Sequence, residues 1–116
     1  MAKSVSIPLP GKPVRGSRSG APVMALLDLM GRRWALGIMW TLGKHAPLSF
    51  GALLDRCQSI SPGVLNTRLK ELIAAGLIES ADEGYSLTRH GEQLFEIMQP
   101  LGRWAREVWA NVVSDT

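Results

Sequence analysis

Residues Leu48 to Ile78, LSFGALLDRCQSISPGVLNTRLKELIAAGLI, constrain the fold more than any other part of the chain. Ser49 is suited to cap a short helix from Phe50 to Cys57, with Phe50, Leu53 and Leu54 facing inward. Ser61-Pro62 is a second start signal: the serine oxygen can accept a free backbone N–H, and the fixed φ of proline fits the first helical position. Leu65, Leu69, Leu72 and Ile73 then form a buried stripe. At about 100° per residue, Gly63, Asn66, Thr67, Lys70 and Ala74 fall opposite, with Arg68 and Glu71 toward one flank. Gly76 stands where a helix ends in a left-handed residue, and a strand follows at once. Two short helices joined by a tight turn, the second polar on its outer face, are how a helix-turn-helix offers a rod to the DNA major groove.

The flanking segments complete a mostly α fold with a small β-hairpin. Pro22 to Met30 reads as a helix with Val23, Leu26, Leu27 and Met30 in one apolar stripe, stopped by Gly31. Arg32 to Lys44 is apolar nearly all round, so it is expected to be the central element. Leu77–Ser80 and Tyr85–Thr88 read as strands joined by Ala81-Asp82-Glu83-Gly84. A last helix runs from about Arg89 to Val113, with Leu94, Ile97, Met98, Leu101, Trp104, Ala105, Val108 and Val112 at three- and four-residue intervals. Pro100 should kink it, since proline cannot donate to the carbonyl of Glu96. This seam is longer than one small core requires. Part of it is expected to meet a second subunit, with Trp104 and Trp109 as anchors.

A chain of 116 residues with 46% hydrophobic content suits one domain, from residue 21 to 116, preceded by an arm over residues 1–20 rich in Pro, Gly, Ser and basic side chains. The arm is expected to be extended. Residues 1–27 hold Lys3, Lys12, Arg15 and Arg18 and no acid, for +4; the other nine basic and ten acidic residues sum to −1. Basicity therefore supports nucleic-acid binding only if the arm takes part or the body segregates its charges by face. The lone Cys57 fits a reducing compartment, no secretory signal is visible, and Trp34 to Gly43 is too short to cross a bilayer. A soluble cytoplasmic protein is expected. With only His45, His90 and Cys57, neither a catalytic thiol paired with a base nor a metal cluster of usual spacing is recognisable, and no phosphate-cradling glycine motif is present. An enzyme and a resident cofactor are not expected.

The order helix, helix, helix-turn-helix, hairpin, helix is that of a winged helix. The segments APVMALLDLMGRRW, SFGALL, ISPGVLNTRLKELIAAGLI and YSLTRHG, followed by a helix carrying a Trp, resemble the HxlR family of bacterial transcription regulators over roughly Ala21 to Ala105. The resemblance implies a homodimeric, sequence-specific DNA-binding regulator, a repressor, on an inverted-repeat operator. The helix of Ser61 to Ala75 would enter the major groove. The first and last helices would build the dimer through Val23, Leu26, Leu27, Leu101, Trp104, Val108 and Trp109. Candidate DNA-binding residues are Ser49, Ser61, Gly63, Asn66, Thr67, Arg68 and Lys70, with Lys12, Arg15 and Arg18 as arm contacts. For Arg68 a salt bridge is the equal alternative.

Three departures stand out. Where family members often carry a sensing Cys this chain has Ala21, and Cys57 lies elsewhere. The hairpin tip is acidic where wings are commonly longer and basic, so the wing is expected to contribute little to binding unless the basic arm, otherwise a solvated tail, stands in for it. Gly63 occupies a place where a basic residue is frequent. The competing reading is a winged helix serving as a protein-interaction module with weak or no DNA binding, which an acidic wing and a near-neutral body would suit. A small-molecule effector could also bind among Trp34, Trp40, Trp104 and Trp109, although core and dimer packing accounts for these indoles more simply.

Overall fold

The computed structural model describes residues 5–114. Helices α1 (Pro22–Met30) and α2 (Ala35–His45) precede α3 (Phe50–Cys57) and α4 (Pro62–Ala74). Strands β1 (Ile78–Ala81) and β2 (Gly84–Leu87) form a hairpin. Helix α5 (Arg89–Trp104) then passes through a π-helical turn (Ala105–Trp109) into α6 (Ala110–Ser114). The mostly helical winged helix-turn-helix read from the sequence is the fold observed.

Its boundaries follow local chemistry. Ser49 Oγ accepts the Ala52 N–H at 3.1 Å and Ser61 Oγ accepts that of Val64 at 3.2 Å, satisfying orphan donors at the starts of α3 and α4. At the end of α4, Gly76 has φ +78°. Its N–H bonds Ile73 O and the Leu77 N–H bonds Leu72 O, both at 3.0 Å, the paired closure of a Schellman motif. Thr88 Oγ1 accepts the Gly91 N–H at 3.0 Å and donates to Gly76 O at 2.6 Å, so the hydroxyl that starts α5 also fastens the end of α4.

Helix α2 starts three residues later than its apolar run suggests. Trp34 takes φ +76°, ψ −13°, a left-handed conformation costing a non-glycine residue about 1–2 kcal/mol. Two contacts hold this turn: Arg68 Nε donates to Arg33 O at 2.8 Å, and the Arg33 guanidinium lies 5.6 Å from the Trp34 ring centre. From Ala35 onward α2 is central as expected, with Ala35, Ile38, Met39 and Leu42 buried, although Leu36 stays exposed. The core closes around it with Leu53, Leu65, Leu69, Leu72, Ile78, Phe95 and Met98.

The hairpin pairs Ile78 with Leu87 through Ala81 with Gly84, leaving Asp82 and Glu83 at the tip. A third segment joins this sheet: Leu48 N–H bonds Tyr85 O at 3.0 Å and Tyr85 N–H bonds Leu48 O at 2.8 Å. Gly84, at φ +123°, permits the approach, because a Cβ there would collide with the Leu48 backbone.

Two regions depart from expectation. Residues 5–20 are folded onto the body. Ile7 packs against the core cluster, Gly11 N–H bonds Gly20 O at 2.9 Å, and Val14 and Ser17 exchange backbone bonds at 2.9 and 3.0 Å. The Arg15 N–H reaches Asp28 Oδ2 at 3.2 Å. Lys3 lies outside the described residues. At the other end, Pro100 lies within α5, and the change in helical geometry comes later, where Ala110 N–H bonds Ala105 O across five residues. No residue from Ala105 to Ser114 is buried. A radius of gyration of 15.2 Å exceeds the value of about 13 Å for a compact chain this long, consistent with a protruding helix. Among the described residues, no helix is long and apolar enough to cross a membrane.

Candidate nucleic-acid interface

The exposed face of α4 is continuous. Gly63, Asn66, Thr67 and Lys70 all lie in solvent, backed by fully buried Leu65, Leu69 and Leu72. Asn66 and Lys70 carry free polar ends there. Thr67 Oγ1 donates to Gly63 O at 3.0 Å, leaving its oxygen able to accept. The hydroxyls of Ser49 and Ser61 accept capping bonds, so each retains its proton for donation to a phosphate. A Cβ on Gly63 would meet nothing within 4 Å, so this surface has room for a larger side chain.

The buried arc of α4 is turned relative to the sequence expectation. Ile73, placed on the apolar stripe, is 40% exposed, while Glu71 is 6% exposed and is the buried charged residue of the core. Relative to Leu65, Ile73 lies about 80° round the helix in one direction and Glu71 about 120° in the other. The α1–α2 turn and the arm pack on the Glu71 side, which pulls the arc that way. Arg68 Nη1 donates to Glu71 Oε1 at 3.1 Å, and Arg32 pairs with the other carboxylate oxygen. Arg32 Nη1 also donates to Ser6 O at 3.1 Å. A carboxylate bound by two guanidiniums has its desolvation offset, so the cluster is stable as a set and costly to break singly. Of the two readings of Arg68, the structure has the salt bridge; Lys70 is the cation left on the exposed face of α4.

This cluster is the functional feature that sequence reasoning missed. Its one visible signal was a glutamate between Leu69 and Leu72, three residues after an arginine. Its role is positional: Arg32 and Glu71 lash the arm, the α1–α2 turn and α4 together. Val5 and Ser6 consequently lie beside Thr67 and Lys70, lining the same hollow. From there Ile7 to Pro10 run along α1 and the end of α4, and the loop carrying Lys12, Arg15 and Arg18 folds over α1. Those three side chains are exposed, and no acid among the described residues forms an ion pair with them. At the wing, Asp82 and Glu83 are exposed as anticipated and would repel phosphate.

The apolar residues assigned to a subunit contact are largely uncovered. Val23 and Leu27 of α1 and Leu101, Trp104, Val108 and Trp109 of the C-terminal helix are exposed. Leu26 is half-buried beneath Ile7 to Pro10, so the arm takes part of its surface. The four tryptophans do not converge: Trp34 and Trp40 pack on the core, whereas Trp104 and Trp109 are 52% and 53% exposed. Cys57 is half-buried at the end of α3, and burial pushes its thiol pKa up, away from the reactive thiolate.

Comparison with known proteins agrees with this geometry. Residues 29–112 match the HxlR-like helix-turn-helix family. The chain is 29% identical over 91 residues to the uncharacterized HTH-type transcriptional regulator YdzF of Bacillus subtilis, covering 72% of this chain and 84% of YdzF. Among solved structures it superposes on quinone-bound YodB of B. subtilis with a TM-score of 0.69 and 29% identity, covering 74% of this chain and 97% of YodB. It also superposes on a possible HxlR family transcriptional factor of Thermoplasma volcanium, with a TM-score of 0.66 and 25% identity, covering 82% and 86% of the two chains. With the family matched from the end of α1 to α6, and with a capped, polar-faced second helix where the fold presents one to DNA, the chain belongs to the HxlR-like helix-turn-helix family of transcriptional regulators.

Proposed function

We propose that the chain acts as a homodimer that binds an inverted-repeat operator sequence-specifically and represses by occupying it. Helix α4 lies in the major groove of each half-site. The observation that carries this reading is the exposed polar face of α4, braced from behind by a fully buried leucine stripe. Asn66 is suited to bidentate pairing with adenine, Thr67 to accepting from an amino group on a base edge, and Lys70, Ser61 and Ser49 to phosphate. Lys12, Arg15 and Arg18 supply phosphate contacts that the acidic wing cannot. The uncovered seam of α5–α6 and the exposed face of α1 supply the dimer contact. A single helix-turn-helix reads only a few base pairs, so two copies are needed for a long site.

Selecting bound fragments from the source genome tests this. The expected result is an inverted repeat with half-sites about 34–36 Å apart, or a multiple of that distance. Binding should fall steeply with salt. Salt-insensitive or undetectable DNA binding would instead favour the protein-interaction module, for which the acidic wing is the supporting observation. For the arm, the triple variant Lys12→Gln, Arg15→Gln, Arg18→Gln removes three cations from each subunit and should flatten the salt slope of the dimer by up to about five units. Unlike truncation, it leaves the packing of Ile7 to Pro10 in place. YodB has been solved with a quinone bound. In this chain, with Ala21 ahead of α1 and Cys57 half-buried, a thiol sensor is not part of the reading.

A further inference from the structure

On the face of α5 that leans on α2, Trp40 and Lys44 of α2 meet Gln99, Arg103 and Arg106 around a groove of about 240 Å³. None of these residues belongs to α3, α4 or the wing, so the groove is separate from the DNA-reading face. Trp40 forms a fixed wall. Its ring is edge-on to Phe95, with centroids 5.5 Å apart and planes at 71°. On another side it lies against α5 at Gly102, where a Cβ would come within 2.7 Å of the indole. Lys44 Nζ stands 5.8 Å from the same ring. Gln99, Arg103 and Arg106 are spaced four and three residues apart, so they share one helical face. Arg106 lies in the π-helical turn, a feature often found at functional sites. No acid among the described residues pairs with Lys44, Arg103 or Arg106. Three cations and an amide thus converge beside a flat aromatic wall, the two arginines outside any ion pair among the described residues and Lys44 also bordering a second hollow that holds Glu92 and Glu96.

We infer that this groove binds a small planar organic anion, an aromatic carboxylate by chemistry, whose ring packs on Trp40 and whose carboxylate is held by Arg103, Arg106 and Lys44. Its volume lies below the range of drug-sized pockets, which suits a single ring. Guanidinium groups match a carboxylate in paired geometry, and the indole provides the apolar contact that inorganic anions do not use. The same helix carries the exposed Leu101, Trp104 and Val108. A ligand wedged between α2 and α5 would therefore set the tilt of the dimer-forming helix against the core, and with it the spacing of two recognition helices. That regulatory consequence rests on the homodimeric DNA-binding reading; occupancy of the groove does not.

Benzoate titrated into the full chain, followed by tryptophan fluorescence, tests the site directly. The expected result is saturable quenching that is absent in Trp40→Phe, weakened about tenfold in Arg103→Gln, and lost in Arg103→Gln/Arg106→Gln. Both arginines are exposed, so these variants should fold, which circular dichroism would verify. Benzamide, of the same shape without the charge, should not bind. Absence of saturable quenching, quenching unchanged in Arg103→Gln, or displacement of benzoate by inorganic phosphate at equal concentration would each overturn the proposal. Binding of operator DNA without ligand is measured separately. Protein that binds DNA but not benzoate defeats the groove alone, and protein that binds benzoate but no DNA defeats the regulator reading while the groove stands.

Discussion

Helix α4 and the C-terminal helix are both amphipathic, yet they divide their surfaces in opposite ways. In α4, Leu65, Leu69 and Leu72 are hidden and the polar side chains face water. In the C-terminal helix Phe95 and Met98 anchor the first half, after which Leu101, Trp104, Val108, Trp109 and Val112 stand in water. The first division suits a monomer with a charged or polar partner. The second leaves apolar surface that only another apolar surface can relieve, and a second copy of the chain carries the same seam. One helix is finished by folding; the other keeps an apolar edge that, on the proposed reading, a second copy would cover.

The sharpest way to break that contrast is to charge the uncovered seam. Leu101→Glu with Val108→Glu should leave a folded monomer whose operator affinity falls a hundredfold or more, because the second half-site no longer binds in tandem. Sedimentation and fluorescence anisotropy would show both effects, and an unchanged sedimentation coefficient would refute the assignment of the seam. Next in size, Leu69→Ala should lower unfolding free energy by about 2–5 kcal/mol at any protein concentration. Leu101→Ala should lower the melting temperature only where the wild type is dimeric, so scans across concentration separate the two helices. Asn66→Ala should cost about 1–3 kcal/mol of operator binding per half-site and relax selectivity at one base position in each, with thermal stability unchanged. Smallest is Gly63→Arg: with open space around it, the new cation in each subunit should raise DNA affinity a few-fold and steepen the salt slope of the dimer by about two.

What could be read from the sequence was what neighbouring residues decide. Pro22 with Gly31, Ser49, Ser61-Pro62 and Gly76 are local punctuation, and α1, α3 and α4 begin and end where they indicate. What escaped depends on residues far apart. Glu71 is buried because Arg32 lies 39 positions earlier, and Ile73 is exposed as the other side of that rotation. The Leu48–Tyr85 bridge is one residue on each side, too short to leave an alternating pattern. The arm has the composition of a linker, yet Ile7 on the core, Ser6 on Arg32 and Arg15 on Asp28 dock it. In the candidate interface, the polar face of α4 follows from helical periodicity. The commitment of Arg68 to Glu71 and Arg33 needed the α1–α2 turn to be in place.

The π-helical turn at Ala105–Trp109 has a consequence for the phase of the helix. A turn closed across five residues needs one residue more to come round, so each residue within it advances by less than the usual 100° or so. In an unbroken α-helix Trp109 would lie well to the side of the line through Leu101, Trp104 and Val108. The slower winding brings it back toward that line. The turn therefore works like a vernier, absorbing one surplus residue so that two apolar runs of different phase lie along one edge. Deleting a single residue between Ala105 and Trp109 would restore ordinary winding with everything beyond it still in line, whereas inserting one more would swing everything beyond it round by about 100°. With that insertion the chain would remain folded, with half of its seam facing the wrong way.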